Sequence, residues 1–151
     1  FKKIFQSVKR VKIYNDYDPK FLYNSESIKN LILNVFEKKV KLIELSIILT
    51  NNISLSKLKK KYFNVDQFTD VIAFNLSDEK DCIEGEIYIS IDDVKENAKI
   101  YSESFENEFK RVIIHGGLHL MGFDDSTEDE KQTMKNLENI FLNKFKESII
   151  N

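Results

Sequence analysis

Cysteine occurs once in the 151 residues, at Cys82, so no intrachain disulfide can form and nothing calls for an oxidising compartment. Proline is as scarce, with Pro19 alone, and only four glycines stand in the chain, at 85, 116, 117 and 122. No glycine- or proline-rich linker divides the sequence, and no low-complexity tract or fixed-period repeat marks a solenoid. No apolar run approaches the roughly 20 residues of a membrane helix, and the opening segment Phe1–Ser7 lacks the apolar stretch of a secretory signal. Neither sign of charge dominates, with 23 Lys and Arg against 25 Asp and Glu and a formal net charge of −2. Bulk attraction to nucleic acid is therefore absent, and any such binding must come from local patches. These absences predict one domain over residues 1–151, cytoplasmic and without a membrane partner. The hydrophobic share of 42% sits at the globular average and excludes wholesale disorder.

Periodicity and capping chemistry give the elements. Residues 11–15 alternate as a short strand before a turn through Asp16–Pro19. Ser25 or Ser27 is expected to cap a helix carrying Ile28, Leu31, Ile32, Val35 and Phe36. Residues 42–50 read as a buried strand. Ser54 is expected to cap a short helix with Leu55 and Leu58 inward and Lys57, Lys59, Lys60 and Lys61 mostly outward. Strands follow over 70–76 and 86–90, then helices over 91–100 and 104–121, the second ending near Gly122 because a left-handed C′ position favours glycine. Thr127 and Glu130 form a capping box for a last helix whose apolar face carries Met134, Leu137, Ile140, Phe141 and Phe145. About four strands among about five helices, in runs rather than strict alternation, predict an α+β domain with a small mixed β-sheet.

The two histidines, His115 and His119, stand four apart on the helix that ends at Gly122. Positions i and i+4 share a helix face, so both imidazoles can converge on one metal ion. Asp125 follows six residues after His119. Two histidines and a carboxylate leave a tetrahedral position open, as a catalytic zinc requires. Chance alone can also space two histidines this way, and Asp124 and Asp125 by themselves are ordinary turn residues ahead of a cap. Gly116 stands where a His-Glu-x-x-His protease carries its glutamate base, so peptide hydrolysis is the weaker reading.

The run His115-Gly-Gly-Leu-His-Leu-Met-Gly-Phe-Asp-Asp125 closely resembles the signature of YbeY-type endoribonucleases, His-Gly-x-Leu-His-Leu-x-Gly-aromatic-Asp-His, agreeing at ten of eleven positions. Thr69-Asp-Val-Ile-Ala-Phe74 and Gly85-Glu-Ile-Tyr-Ile-Ser90 resemble two strands of that family, and Glu108 fits its helix. The likeness covers about 55–147, with the first fifty residues fitting in outline. It departs twice. Asp125 replaces the family's third histidine, and as an anionic ligand it acidifies bound water less and widens metal choice from zinc toward manganese or magnesium. Phe63 replaces an arginine after Tyr62, removing a phosphate contact that Lys59, Lys60, Lys61 or Arg111 would have to supply.

The resemblance implies a metal-dependent endoribonuclease, with one zinc per chain as the expected ion, acting on single-stranded RNA in 16S rRNA 3′-end maturation and ribosome quality control, with the small ribosomal subunit or its proteins as partner. His115, His119 and Asp125 are the expected metal ligands. No base is obvious: Asp124 and Glu108 are candidates, the nucleophile being either water or the RNA 2′-hydroxyl. Arg111, one turn before His115, either faces the same cleft or pairs with Glu108 or Asp124. Lys57–Lys61 reads first as a solvated helix face; its alternative is a basic rim for single-stranded RNA, with Tyr62 or Phe63 stacking a base. Cys82, flanked by acids, reads as a loop or buried thiol. The rival from another class is a non-catalytic ribosome-assembly factor with a structural metal, and a third reading is a hydrolase of a small phosphorylated substrate.

Overall fold

The computed structural model describes residues 8–36, 40–63 and 70–151. The elements follow in the order β1 (Val8–Asn15), α1 (Ser25–Val35), β2 (Leu42–Thr50), α2 (Asn52–Phe63), β3 (Val71–Asn75), β4 (Cys82–Ser90), α3 (Ile91–Ile100), α4 (Phe105–Leu120) and α5 (Glu128–Lys144). One sheet has the strand order β1-β2-β4-β3, parallel except for β3, which runs antiparallel to β4. This is the small mixed sheet with five helices that the sequence predicts.

α4 is the spine of the domain. It lies against β3 and β4 and also packs on α1, α3 and α5. Its Phe109, Ile113 and Ile114 are fully buried with Ile28, Leu31 and Ile32 of α1 and with Ile47, Ile87 and Ile89 of the sheet. Burying side chains of this size contributes about 1.5–3 kcal/mol each, so the helix that carries both histidines is anchored along its length. Asn75 ties its C-terminal end to the sheet edge, donating through Nδ2 to the Leu120 carbonyl at 3.3 Å.

Several expectations change, β1 among them, since it starts at Val8 rather than at residue 11. β4 begins at Cys82 rather than 86, because Gly85 pairs inside the strand instead of ending the connection before it, opposite Leu45 of β2 and Asn75 of β3. A Cβ there would lie 2.5 Å from the Phe74 carbonyl oxygen and 3.0 Å from Leu120 Cδ2, so the glycine permits this close approach. The Cys82 thiol is thereby a half-buried strand residue. α1 is capped by Asn24, whose side chain accepts from the Ser27 backbone N–H, and α2 by Asn51, which accepts from that of Ser54 at 2.8 Å. Asparagine caps as well as serine does, and each stands upstream of the serine that was expected to serve. Lys59 is buried, not outward, facing Asp93 and Asp70; burial lowers its pKa although both carboxylates pull it up. Finally, Ile140 is exposed, because the buried stripe of α5 runs through Met134 and Glu138 to Phe145.

Candidate metal centre

His115 and His119 occupy the last two turns of α4, where the i, i+4 spacing sets them edge to face with ring centroids 4.6 Å apart. The helix then stops abruptly. Gly122 adopts φ +97°, its N–H donates to the His119 carbonyl at 3.0 Å, and the Phe123 N–H donates to the Leu118 carbonyl at 3.1 Å. This C-terminal reversal swings Asp125 back over the histidines. A Cβ at Gly122 would meet nothing within 4 Å, so only backbone strain opposes a side chain there. Gly122→Ala is accordingly expected to cost about 1–2 kcal/mol; a denaturant midpoint equal to wild type would contradict this reading of the turn.

The three candidate ligand atoms converge. Nε2 of His119 lies 2.9 Å from Nε2 of His115, and Asp125 Oδ2 lies 3.3 Å from the first-named histidine's partner, His115, and 3.6 Å from His119. All three atoms lie within 4.8 Å of one another, the only such group of three among the described residues. Two imidazole nitrogens and a carboxylate oxygen, aimed together, match the donor set of a catalytic zinc site. The Asp125 side chain is 44% exposed, so the centre opens to solvent on that side.

The sequence reading missed Glu138. Its Oε2 lies 2.7 Å from His115 Nδ1, and its Oε1 accepts from Arg111 Nη1 at 3.0 Å. Glu138 can only accept, so this contact favours a proton on His115 Nδ1, and Nε2 is the nitrogen that faces His119 and Asp125. Burial disfavours the His115 cation, but the hydrogen bond and charge of Glu138, with the charges of Asp125 and Asp70, outweigh it and raise the pKa. His119 shifts the other way: burial and then the neighbouring His115 lower its pKa, against the pull of Asp125, the Phe123 backbone and Asp124. The one sequence signal for Glu138 is an acid in register with Met134, at i+4 on the buried stripe of α5.

The other candidates disperse. Arg111 pairs with neither Glu108 nor Asp124; its fork is taken by Glu138 and by Asn139 Oδ1, the latter at 3.0 Å. Asp124 is exposed beside the centre. Glu108 is buried two helical turns before His115, roughly 10 Å along the axis, which removes it as a proton carrier at the metal. Lys60 and Lys61 stay exposed on α2, Lys61 lying 5.3 Å from the Tyr62 ring centroid, and Tyr62 packs edge-on against Phe74. The Phe63 side chain and Thr69 lie outside the described residues. A Cβ at Gly116 would lie 2.9 Å from Ile87 Cγ2, so that position faces the sheet and no glutamate there could reach the histidines.

Beside the centre a cleft of about 640 Å³ runs between α3, α4 and α5, from His115 and Asp125 past Glu108 and Asp70 to Tyr101, with Lys131 and Lys135 on its α5 side. No described helix is long and apolar enough to cross a membrane.

Fold and site together define an α+β domain carrying an open His-His-Asp centre at the end of its central helix. The family model described as "Endoribonuclease YbeY" matches residues 13–146, which extends the likeness through β1, α1 and β2. Similar curated proteins, each named endoribonuclease YbeY, include that of Karelsulcia muelleri, 41% identical over 128 residues (83% of this chain, 90% of the relative). The Acholeplasma laidlawii protein is 34% identical over 134 residues (89% and 95%). The solution structure of TM1509 from Thermotoga maritima superposes with a TM-score of 0.61 at 26% identity, covering 90% of this chain and 89% of that one. The chain belongs to the endoribonuclease YbeY family.

Proposed function

We propose that this protein is a metal-dependent, single-strand-specific endoribonuclease of the cytoplasm, acting in 16S rRNA 3′-end maturation and ribosome quality control on the small ribosomal subunit. The observation that carries the reading is the convergence of His115, His119 and Asp125 at the mouth of a cleft with lysines along one side. Family membership supplies the substrate class. Zinc suits the donor set, and the Asp125 carboxylate also accommodates manganese or magnesium. When bound, such an ion supplies Lewis acidity to a phosphodiester and acidifies water.

The chain's own residues do the rest. Glu138 fixes the His115 tautomer, and Arg111 holds Glu138 in place through a hydrogen bond to a buried carboxylate. The exposed edge at Asp125 leaves room for a phosphate to approach. Lys131 and Lys135 lie on the cleft's α5 side, where they would neutralise RNA phosphates. Lys59, buried against Asp70 and Asp93, is unsuited to that role, which moves the basic approach from α2 to α5.

Lys131→Glu and Lys135→Glu are each expected to weaken single-stranded RNA binding and reduce the slope of log K against log salt by about 0.7. Lys60→Glu and Lys61→Glu on α2 should change neither by as much. The reverse ranking would return the RNA path to α2. The reading itself is tested by incubating a labelled single-stranded RNA ending in 16S 3′ sequence with the zinc-loaded protein, beside its duplex form. Internal cleavage of the single strand alone is expected. Binding of both without cleavage, by protein whose metal has no exchangeable water, would favour the assembly-factor reading.

A further inference from the structure

The floor of the cleft holds a group that the metal centre does not use. Glu108 is only 5% exposed, lines the cleft, and accepts no hydrogen bond among the described residues. The other acids there are engaged: Asp70 Oδ2 accepts from Asn97 Nδ2 at 3.0 Å, Glu103 from Asn107 at 2.7 Å, and Glu138 from Arg111. No side-chain oxygen among the described residues is both fully buried and unpartnered, so the Glu108 carboxyl reaches water only where it faces the cleft, while the rest of the side chain is buried. Burial first, and Asp70 next, hold the Glu108 carboxyl above the usual carboxylate range, against the pull of Arg111. A ligand that brings N–H donors to this point supplies hydrogen bonds that the protein itself does not.

Position and chemistry say what the ligand is. Glu108 lies two helical turns from His115 on nearly the same face of α4, roughly 10 Å along the axis. That is the reach of one nucleotide from its phosphate to the far edge of its base. Acidic groups repel phosphate, so the floor suits a base while the phosphate stays at the metal centre and the lysines. At the cleft's other end Tyr101, 65% exposed, offers a ring on which a base can stack. A carboxylate accepts two donors side by side. Guanine alone among the four bases presents two adjacent donors, N1–H and the 2-amino group, on its Watson–Crick edge; uracil presents one N–H between two carbonyls.

We propose that the cleft floor around Glu108 is a base-recognition subsite selective for guanine and least tolerant of uracil, with Tyr101 stacking the base. The proposal rests on the nuclease reading above and adds a sequence preference to it. Glu108 acts by binding, two turns from the reacting phosphate, and takes no part in proton transfer there.

The test measures binding of four short single-stranded RNAs, identical except for one central G, A, C or U, together with guanosine and uridine monophosphates alone, to the metal-stripped protein by calorimetry. Cleavage of the same RNAs by the zinc-loaded protein is followed in parallel. The G-containing RNA is expected to bind about tenfold or more tighter than the U-containing one. Glu108→Gln should bring that ratio near one, because an amide oxygen flanked by an NH₂ no longer accepts both donors. Tyr101→Ala, at an exposed position that tolerates truncation, should weaken all four RNAs about fivefold or more. Equal affinity of wild type for G and U RNAs, or an unchanged ratio in a folded Glu108→Gln, overturns the subsite. Should Glu108→Gln misfold, the wild-type ratio and Tyr101→Ala still decide. Equal cleavage of all four RNAs would sink the subsite and leave the nuclease standing. Tight guanosine monophosphate binding with no RNA cleavage would do the opposite.

Discussion

Alanine at position 119 is expected to strip the protein of metal and of RNA cleavage while leaving its fold intact. The His119 ring is only partly buried, and its side-chain partners are His115 and Asp125, the other two ligand candidates. The core that holds α4 lies instead on Phe109, Ile113 and Ile114. Losing one of three ligands should cost more than the about 10–100-fold in metal affinity that follows loss of an outer partner. Compared in chelator, His119→Ala and wild type should unfold within about 0.5 kcal/mol of each other, as surface changes usually do. Added zinc should then stabilise wild type alone. Zinc bound by the variant as tightly as by wild type would remove His119 from the site.

Glu138→Gln is the second large effect, expected at about 10–100-fold in metal affinity by competition with a chromophoric chelator. Its amide keeps the size and one acceptor, which Arg111 can hold. The NH₂ then faces His115 Nδ1, forcing that nitrogen to accept and moving the ring proton to Nε2, the atom that should carry the lone pair. An affinity within twofold of wild type would show that the 2.7 Å contact does not set the tautomer. The metal-free proteins supply a pH signature. Because the folded pKa of His115 is raised above 6.5, its protonated pair with Glu138 stabilises the fold fully below that value and loses this contribution as pH rises through the folded pKa. The stability advantage of metal-free wild type over Glu138→Gln should therefore shrink with rising pH, and an advantage that grew would contradict the pairing.

What the sequence made legible is what is local to it. His115, His119, Gly122 and Asp125 lie within one helix end and its reversal, so helical spacing and a left-handed glycine suffice to bring them together. The α4 and α5 helices announce themselves through caps and stripes. Glu138 was hidden because it reaches His115 only through the packing of α5 on α4, and one acid among many in a charged helix carries little signal. Lys59 was misjudged for the same reason: its neighbours Asp70 and Asp93 come from other parts of the chain. The early start of β4 was hidden in a different way: the strand expected over 86–90 left Gly85 in the polar connection before it, and only the Phe74 carbonyl and Leu120 against Gly85 show why a glycine stands inside the strand. The cleft, formed between three helices, had no local signature at all.

RNA cleavage is assigned to one centre per chain, made by His115, His119 and Asp125. The most direct measurement strips the purified protein of metal, returns zinc in steps, and follows cleavage of a labelled single-stranded RNA against the zinc bound. Cleavage should be absent at the start, rise in proportion to bound zinc, and level off at one equivalent per chain. Cleavage that persists in the stripped protein, or stays absent with one equivalent bound, would contradict this assignment.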